Sequence, residues 1–138
     1  MISTRDTLRV GNLMTLDPIV IAPDEPAAEA ERLMKTFRIS GLPVVDKEEL
    51  AGVVSQADLI VARSSEMIGA QWERIRVRHL MTSPAITVHA TVTLAHAAKL
   101  MIQRDIHRLV VVGDDGEPIG VLTTLDLLRA LTEDPAAP

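Results

Sequence analysis

The chain has no cysteine and no tyrosine, and only one phenylalanine and one tryptophan, in 138 residues. Without cysteine there are no disulfides, no thiolate metal sites and no cysteine nucleophiles. The shortage of aromatic rings removes the platforms on which single-stranded nucleic acids stack. Positive charge is also short: 14 Lys and Arg against 19 Asp and Glu give a net charge of −5, which disfavours general attraction to nucleic-acid phosphates or anionic lipid. No apolar run approaches the ~18 residues needed to span a bilayer. The opening Met1-Ile2-Ser3-Thr4-Arg5-Asp6 lacks the apolar stretch of a signal peptide. These absences predict a cytoplasmic protein that partners neither nucleic acid nor membrane.

What the chain does have is an internal repeat. Hydrophobic residues make up 47% of it, an ordinary globular composition for a single folded unit. Shifted by 67 positions, Val10-Gly-Asn-Leu-Met-Thr15 falls on Val77-Arg-His-Leu-Met-Thr82. The match continues through Ile19 on Ile86, Ala30 on Ala97, Met34 on Met101, Ile39 on Ile106 and Val44 on Val111. One extra residue in a later turn makes the offset 68, and Gly52 then meets Gly120 and Asp58 meets Asp126. Such self-similarity predicts two structurally equivalent halves.

Each copy reads as strand, helix, strand, strand, helix. A short extended stretch (Ile19-Val20-Ile21; Ile86-Thr87-Val88) precedes apolar residues at helical spacing: Ala30, Leu33, Met34 and Phe37 in one copy, Leu94, Ala97, Leu100 and Met101 in the other. The methionines on these faces read as core packing. Pro43-Val44-Val45 and Val110-Val111-Val112 then run through polar turns into Gly52-Val-Val and Ile119-Gly-Val-Leu122, a hairpin signal. A closing helix starts at Gln56 or Thr124. The fold class is therefore α+β, with repeats at 8–63 and 77–132, a partly helical connector at 64–76 and a disordered tail at 133–138. Within the connector and just beyond it, Arg74, Arg76, Arg78 and His79 read as a solvated strand face.

The sharpest motifs are Gly52-Val-Val-Ser-Gln-Ala-Asp58 and Gly120-Val-Leu-Thr-Thr-Leu-Asp126, each at a passage from strand to helix. A helix N-terminus offers unpaired N–H groups to a phosphate, a Ser or Thr hydroxyl adds a donor, and an Asp one turn on can accept from ribose hydroxyls. The same letters also spell an N-cap with its reciprocal acid. Both readings stand at this point.

Met14-Thr15, Met81-Thr82, Ile39-Ser-Gly-Leu-Pro-Val-Val-Asp46, Ile106-His-Arg-Leu-Val-Val-Val112 and the two Gly-to-Asp signatures resemble a pair of cystathionine-β-synthase (CBS) domains, a Bateman module, over residues 8 to 132. The resemblance implies two pseudo-symmetric repeats, each a small three-stranded sheet with two helices. It implies a regulatory ligand, AMP, ADP or ATP, with S-adenosylmethionine as an alternative, held in clefts between the repeats. It further implies a homodimer that buries the second helix of each repeat, and a separate target protein, since these 138 residues hold no effector domain.

Through the same resemblance, each cleft takes its signature from one repeat and its strand residues from the other. One set joins Ser55 and Asp58 to Thr82, Ile86, Thr87, Ile106, His107 and Arg108. The other joins Thr123 and Asp126 to Thr15, Ile19, Val20, Ile39 and Ser40. Val20 lacks the hydroxyl of Thr87, and Ser40-Gly41 lacks the charge that His107-Arg108 offers a phosphate, so the Asp58 set is expected to bind more strongly.

Other chemistry finds little support. The histidines at 79, 89, 96 and 107 show no ligand spacing for zinc. Asp114-Asp115-Gly116 lacks the further ligands of a calcium loop, and no Walker A sequence or distinctive Ser–His–Asp grouping is present. A nucleotide sensor without enzymatic activity is the leading expectation, and a dimerisation scaffold with vestigial clefts is the alternative.

Overall fold

A computed structural model describes residues 8–132, so the tail expected at 133–138 lies outside the described residues. In chain order the elements are α1 (Val10–Leu13), β1 (Thr15–Leu16), α2 (Ala27–Phe37), β2 (Gly41–Asp46), β3 (Glu49–Ser55), α3 (Gln56–Ser64), α4 (Glu66–Gly69), a 3₁₀ turn (Trp72–Arg74), α5 (Val77–Leu80), β4 (Thr87–His89), α6 (Leu94–Arg104), β5 (Arg108–Val112), β6 (Pro118–Thr123) and α7 (Thr124–Thr132). The mixed α+β class holds, and the connector is partly helical as expected.

These elements form two compact units that do not coincide with the two sequence repeats. One is contiguous, residues 19–85. The other is split, and its described residues are 8–18 together with 86–132. The opening of each repeat therefore belongs to the unit built mainly from the other repeat.

In the contiguous unit, β2 and β3 form an antiparallel hairpin running from Gly41 opposite Ser55 to Asp46 opposite Glu49. Ile21 adds a parallel bridge to Val44, and Thr82, from the second repeat's opening, adds an antiparallel bridge to Val53. The core gathers Ile21, Ala30, Met34, Leu42, Val44, Val54, Leu59 and Trp72. In the split unit the same scheme is fully developed, as a four-stranded sheet in the order β1-β6-β5-β4, with β4 parallel to β5 and the other pairs antiparallel. Its core gathers Val10, Val88, Leu94, Met101, Leu109, Val111 and Leu122.

The exchanged openings are seated by matching hydrogen bonds. Val10 N–H donates to Val92 O and Gly11 N–H to Ala90 O, both at 2.9 Å. At the equivalent positions, Val77 N–H donates to Glu25 O and Arg78 N–H to Pro23 O, also at 2.9 Å. Val10 and Val77 are both completely buried. Each opening helix has its own cap: Asn12 Oδ1 accepts the Arg9 N–H at 2.8 Å and His79 Nδ1 accepts the Arg76 N–H at 2.9 Å.

Three sequence expectations are corrected. Ile19-Val20-Ile21 is not a strand, and only Ile21 bridges; Pro18 and Pro23, which have no N–H to give a ladder, close off the segment on both sides. Phe37, read as part of an apolar face, is 51% exposed at the end of α2. Arg74, Arg76, Arg78 and His79 do not share a strand face: they lie in the 3₁₀ turn, at the N-cap of α5 and within α5, with the Arg78 guanidinium paired to the Asp24 carboxylate.

The long helices α2 and α6 bury the faces their periodicity gave them, Ala27, Ala30 and Met34 in one, Leu94, Ala97 and Met101 in the other. On the exposed side of α2, hydrogen bonds from Arg32 at 2.6 and 2.9 Å hold the Glu29 carboxyl below its ordinary range. Both helices end on a non-glycine residue in the left-handed region, Arg38 at φ 54° and Asp105 at φ 51°. Glycine adopts that conformation without the Cβ clash that an L side chain suffers there. Arg38→Gly is therefore expected to raise stability by about 0.5–1 kcal/mol in urea denaturation, with a smaller gain from Asp105→Gly because Asp tolerates the conformation better.

Candidate functional site

The two signatures sit where β3 runs into α3 and where β6 runs into α7. Ser55 is the N-cap of α3: its Oγ accepts the Asp58 N–H at 3.1 Å, and Asp58 Oδ2 accepts the Ser55 N–H at 2.8 Å. Thr123 and Asp126 repeat the arrangement at 3.3 and 2.8 Å. Both motifs are thus closed capping boxes, and their letters serve the fold whatever else they do. Asp126 is the one buried charged or polar residue of the described chain, at 9% exposure, and its cap bonds satisfy it there.

The caps also define what remains for a ligand. The first helical N–H is already taken, since Gln56 donates to Ser40 O at 2.8 Å and Thr124 to His107 O at 3.0 Å. The third goes to the cap hydroxyl. The phosphate cradle expected from the sequence would therefore be narrower than helix geometry alone offers, with the second N–H and the hydroxyl proton of Ser55 or Thr123 as its intrinsic donors. The carboxylate oxygen opposite Oδ2 is the natural acceptor for a ribose hydroxyl.

The first letter of each signature has a separate role that the sequence reading missed. A Cβ on Gly52 would lie 2.5 Å from Thr82 O and 3.3 Å from Met81 Sδ. On Gly120 it would lie 2.9 Å from Thr15 O and 2.7 Å from Met14 Sδ. Both glycines make room for the exchanged opening, whose backbone pairs next to them: Thr82 with Val53 at 2.8 and 3.0 Å, and Thr15 opposite Val121. The available signal was that glycine contributes nothing to a cap three residues later, so its recurrence called for a backbone contact.

This pairing brings part of each expected site together. In the contiguous unit Thr82 joins the β3 strand that leads to Ser55 and Asp58; in the split unit Thr15 joins the β6 strand that leads to Thr123 and Asp126. Thr15 and Thr82 are both exposed. Of the strand residues assigned to the Asp58 set, Ile86, Thr87, Ile106, His107 and Arg108 lie in the split unit; Thr87 and His107 are exposed and Arg108 is half-buried opposite Thr123. Ile19, Val20, Ile39 and Ser40, assigned to the Asp126 set, lie in the contiguous unit, with Val20 and Ser40 exposed. The groove of the contiguous unit, about 200 Å³, lies elsewhere, between α2 and α3 and lined by Glu31, Met34, Lys35, Gln56, Leu59, Ile60 and Arg63.

Duplicated sheets with reciprocally seated openings and paired strand-to-helix signatures define a tandem-repeat module. The chain belongs to the CBS domain family, whose model matches residues 10–65 and again 77–133. Among curated proteins it is 34% identical over 119 residues to the inosine-5'-monophosphate dehydrogenase of Korarchaeum cryptofilum, covering 86% of this chain and 23% of the dehydrogenase. The chain thus spans about a quarter of that relative's length. Among solved structures, CBSX2 of Arabidopsis thaliana in complex with AMP is 32% identical, with a TM-score of 0.80 over 91% of this chain and 97% of its own. The CBS domain pair of protein MJ0100 in complex with 5'-methylthioadenosine and S-adenosyl-L-methionine is 26% identical, with a TM-score of 0.78 over 89% of this chain and 98% of its own. Among the described residues no helix is long and apolar enough to cross a membrane.

Proposed function

We propose that this CBS pair is a regulatory module rather than an enzyme: it binds an adenine nucleotide and signals through a conformational or assembly change to a separate protein. The observation that carries the reading is the 32% identity, over nine-tenths of the chain, to a CBS pair solved with AMP. The two capping boxes support it, because each leaves a hydroxyl proton and a carboxylate oxygen for a phosphate and a ribose.

The stronger site uses Ser55, Asp58 and Thr82 with Ile86, Thr87, Ile106, His107 and Arg108; the weaker uses Thr123, Asp126 and Thr15 with Ile19, Val20, Ile39 and Ser40. The basic His107-Arg108 pair favours the first for an anionic ligand. A ligand bound there shifts the module between states only as far as its affinities for them differ. The module acts as a homodimer.

Isothermal titration with AMP, ADP, ATP and S-adenosylmethionine tests the reading. The last belongs in the panel because the 26% identical MJ0100 pair is solved with it. Asp58→Ala is expected to weaken the tightest nucleotide by roughly 10- to 100-fold, the worth of hydrogen bonds to a charged group. Asp126→Ala is expected to weaken it far less. Asp58→Asn, which keeps an acceptor for the cap, separates loss of ligand contacts from loss of the helix start. No heat and no rise in melting temperature with any of the four ligands at millimolar concentration would favour the scaffold reading instead. An Asp126→Ala effect larger than that of Asp58→Ala would reverse the ranking of sites.

A further inference from the structure

We propose that the two nucleotide sites are linked, so that AMP held at one tightens binding at the other. The inference rests on the nucleotide reading above and adds to it how the two sites answer each other.

Within each unit, strand residues that serve one site are bonded to the signature of the other. In the split unit the first N–H of α7, from Thr124, donates to His107 O at 3.0 Å, and the Thr124 hydroxyl donates to the same oxygen at 3.4 Å. The next residue, Arg108, lies directly opposite Thr123 in the β5–β6 ladder. His107 and Arg108 serve the Asp58 site, whereas Thr123 belongs to the Asp126 signature. The contiguous unit repeats the arrangement with the roles exchanged. There the first N–H of α3, from Gln56, donates to Ser40 O at 2.8 Å, and Gly41 lies opposite Ser55. Ser40 serves the Asp126 site, and Ser55 belongs to the Asp58 signature.

The first N–H groups of a helix have no partner inside it, and caps or water commonly serve them. Here the partner is the main chain of a ligand-contacting residue. Holding residues 107 and 108 in place therefore also holds the oxygen on which α7 starts, and with it the Thr123–Asp126 cap. A slack loop would absorb the effect, but these strand starts are tied on their other side as well: Ile106 N–H donates to Met101 O at 3.0 Å and Ile39 N–H to Met34 O at 3.1 Å. The ordering cost falls on the first ligand, and the second binds to a helix start already in place. By linkage, each site strengthens the other by the same factor.

Isothermal titration with AMP on the wild type and on Asp58→Asn and Asp126→Asn tests the link, with circular dichroism to show that each variant is folded. Asparagine keeps an acceptor for the cap and replaces the remaining carboxylate oxygen with a donor, which leaves one working site in each variant. The product of the two wild-type association constants is expected to exceed the product of the two single-site constants at least ~5-fold. Amide hydrogen exchange followed by NMR reads the link directly. AMP is expected to slow the Thr124 amide in Asp126→Asn, where it occupies the Asp58 site, and the Gln56 amide in Asp58→Asn. Equal products, or a smaller product for the wild type, would overturn the inference, as would exchange at Thr124 and Gln56 that AMP leaves unchanged. Should a variant fail to fold, exchange on the wild type decides: AMP at a level that fills only the Asp58 site must slow the Thr124 amide. Absence of AMP binding to all three proteins would remove the nucleotide reading itself; binding with equal products would remove only the link.

Discussion

Gly52→Val is expected to lower the stability of the protein by about 3 kcal/mol, the upper part of the range for over-packing a close-packed site. The nearest obstacle is a main-chain oxygen, Thr82 O, only 2.5 Å from where the Cβ must go, and main chain cannot swing aside as a side-chain tip can. Relief requires the opening to retreat, which stretches the two Val53–Thr82 hydrogen bonds of 2.8 and 3.0 Å and begins to unseat the buried Val77. Gly120→Val is expected to cost about 2 kcal/mol, because part of its obstruction is the flexible Met14 Sδ. Gly116→Ala is the control: no atom lies within 4 Å of the added carbon, so only its φ of +80° opposes the change, at about 1 kcal/mol. Urea denaturation of the three variants should rank them in that order. A Gly52→Val protein as stable as Gly116→Ala would show that the opening is not held against β3.

The second large effect is Leu109→Ala, expected to cost about 3 kcal/mol, as for other fully buried leucines cut back to alanine. Leu109 is wholly inaccessible in β5, among Val10, Met101, Val111 and Leu122 of the split core. The loss is large against a total stability of order 5–15 kcal/mol. Its reach along the chain is also informative, because the only tryptophan, Trp72, reports on the contiguous unit. That unit is an uninterrupted stretch with a core of its own, so Leu109→Ala should lower the circular-dichroism midpoint in urea while leaving the Trp72 fluorescence midpoint behind. The converse does not hold. The two pieces of the split unit are joined through the 67 residues from Ile19 to Ala85, and unfolding that stretch turns a folded link into a long flexible loop whose closure costs entropy. Leu42→Ala, at an equally buried position in the contiguous unit, should therefore move both probes. Identical shifts of both probes in both variants would show instead that the units melt as one.

Much of this architecture was legible because local chemistry and the final fold agree. The hairpin β2–β3 follows from a β-branched run, a polar turn and a second run, and the buried stripe of α2 follows from residues at helical spacing. Where the sequence misled, longer-range or backbone effects prevail. Ile19-Val20 carries the right side chains for a strand, yet the flanking prolines cannot supply ladder donors. Phe37 keeps the helical period but falls on the last turn, past the edge of the core. The exchange of openings was invisible because periodicity describes which face of an element is apolar and not which partner covers it; Val10 and Val77 are equally apolar wherever they pack. Of the two meanings read into the signatures, the structure displays the cap. The ligand meaning stays a proposal, drawn from the hydroxyl and carboxylate groups that the caps leave over.

The seating of each opening in the opposite unit bears on how such a chain can have arisen. One repeat by itself carries an opening with no place in its own fold, and beside β3 or β6 it has a vacant strand edge with nothing to fill it. Two separate copies of an ancestral single repeat would meet both needs at once by lending their openings to each other. An ancestor of that kind is obliged to work in pairs, and joining two copies end to end makes the pairing permanent. Once joined, the two copies are free to diverge, and Arg63 now corresponds to Leu131 and Lys35 to Ile102.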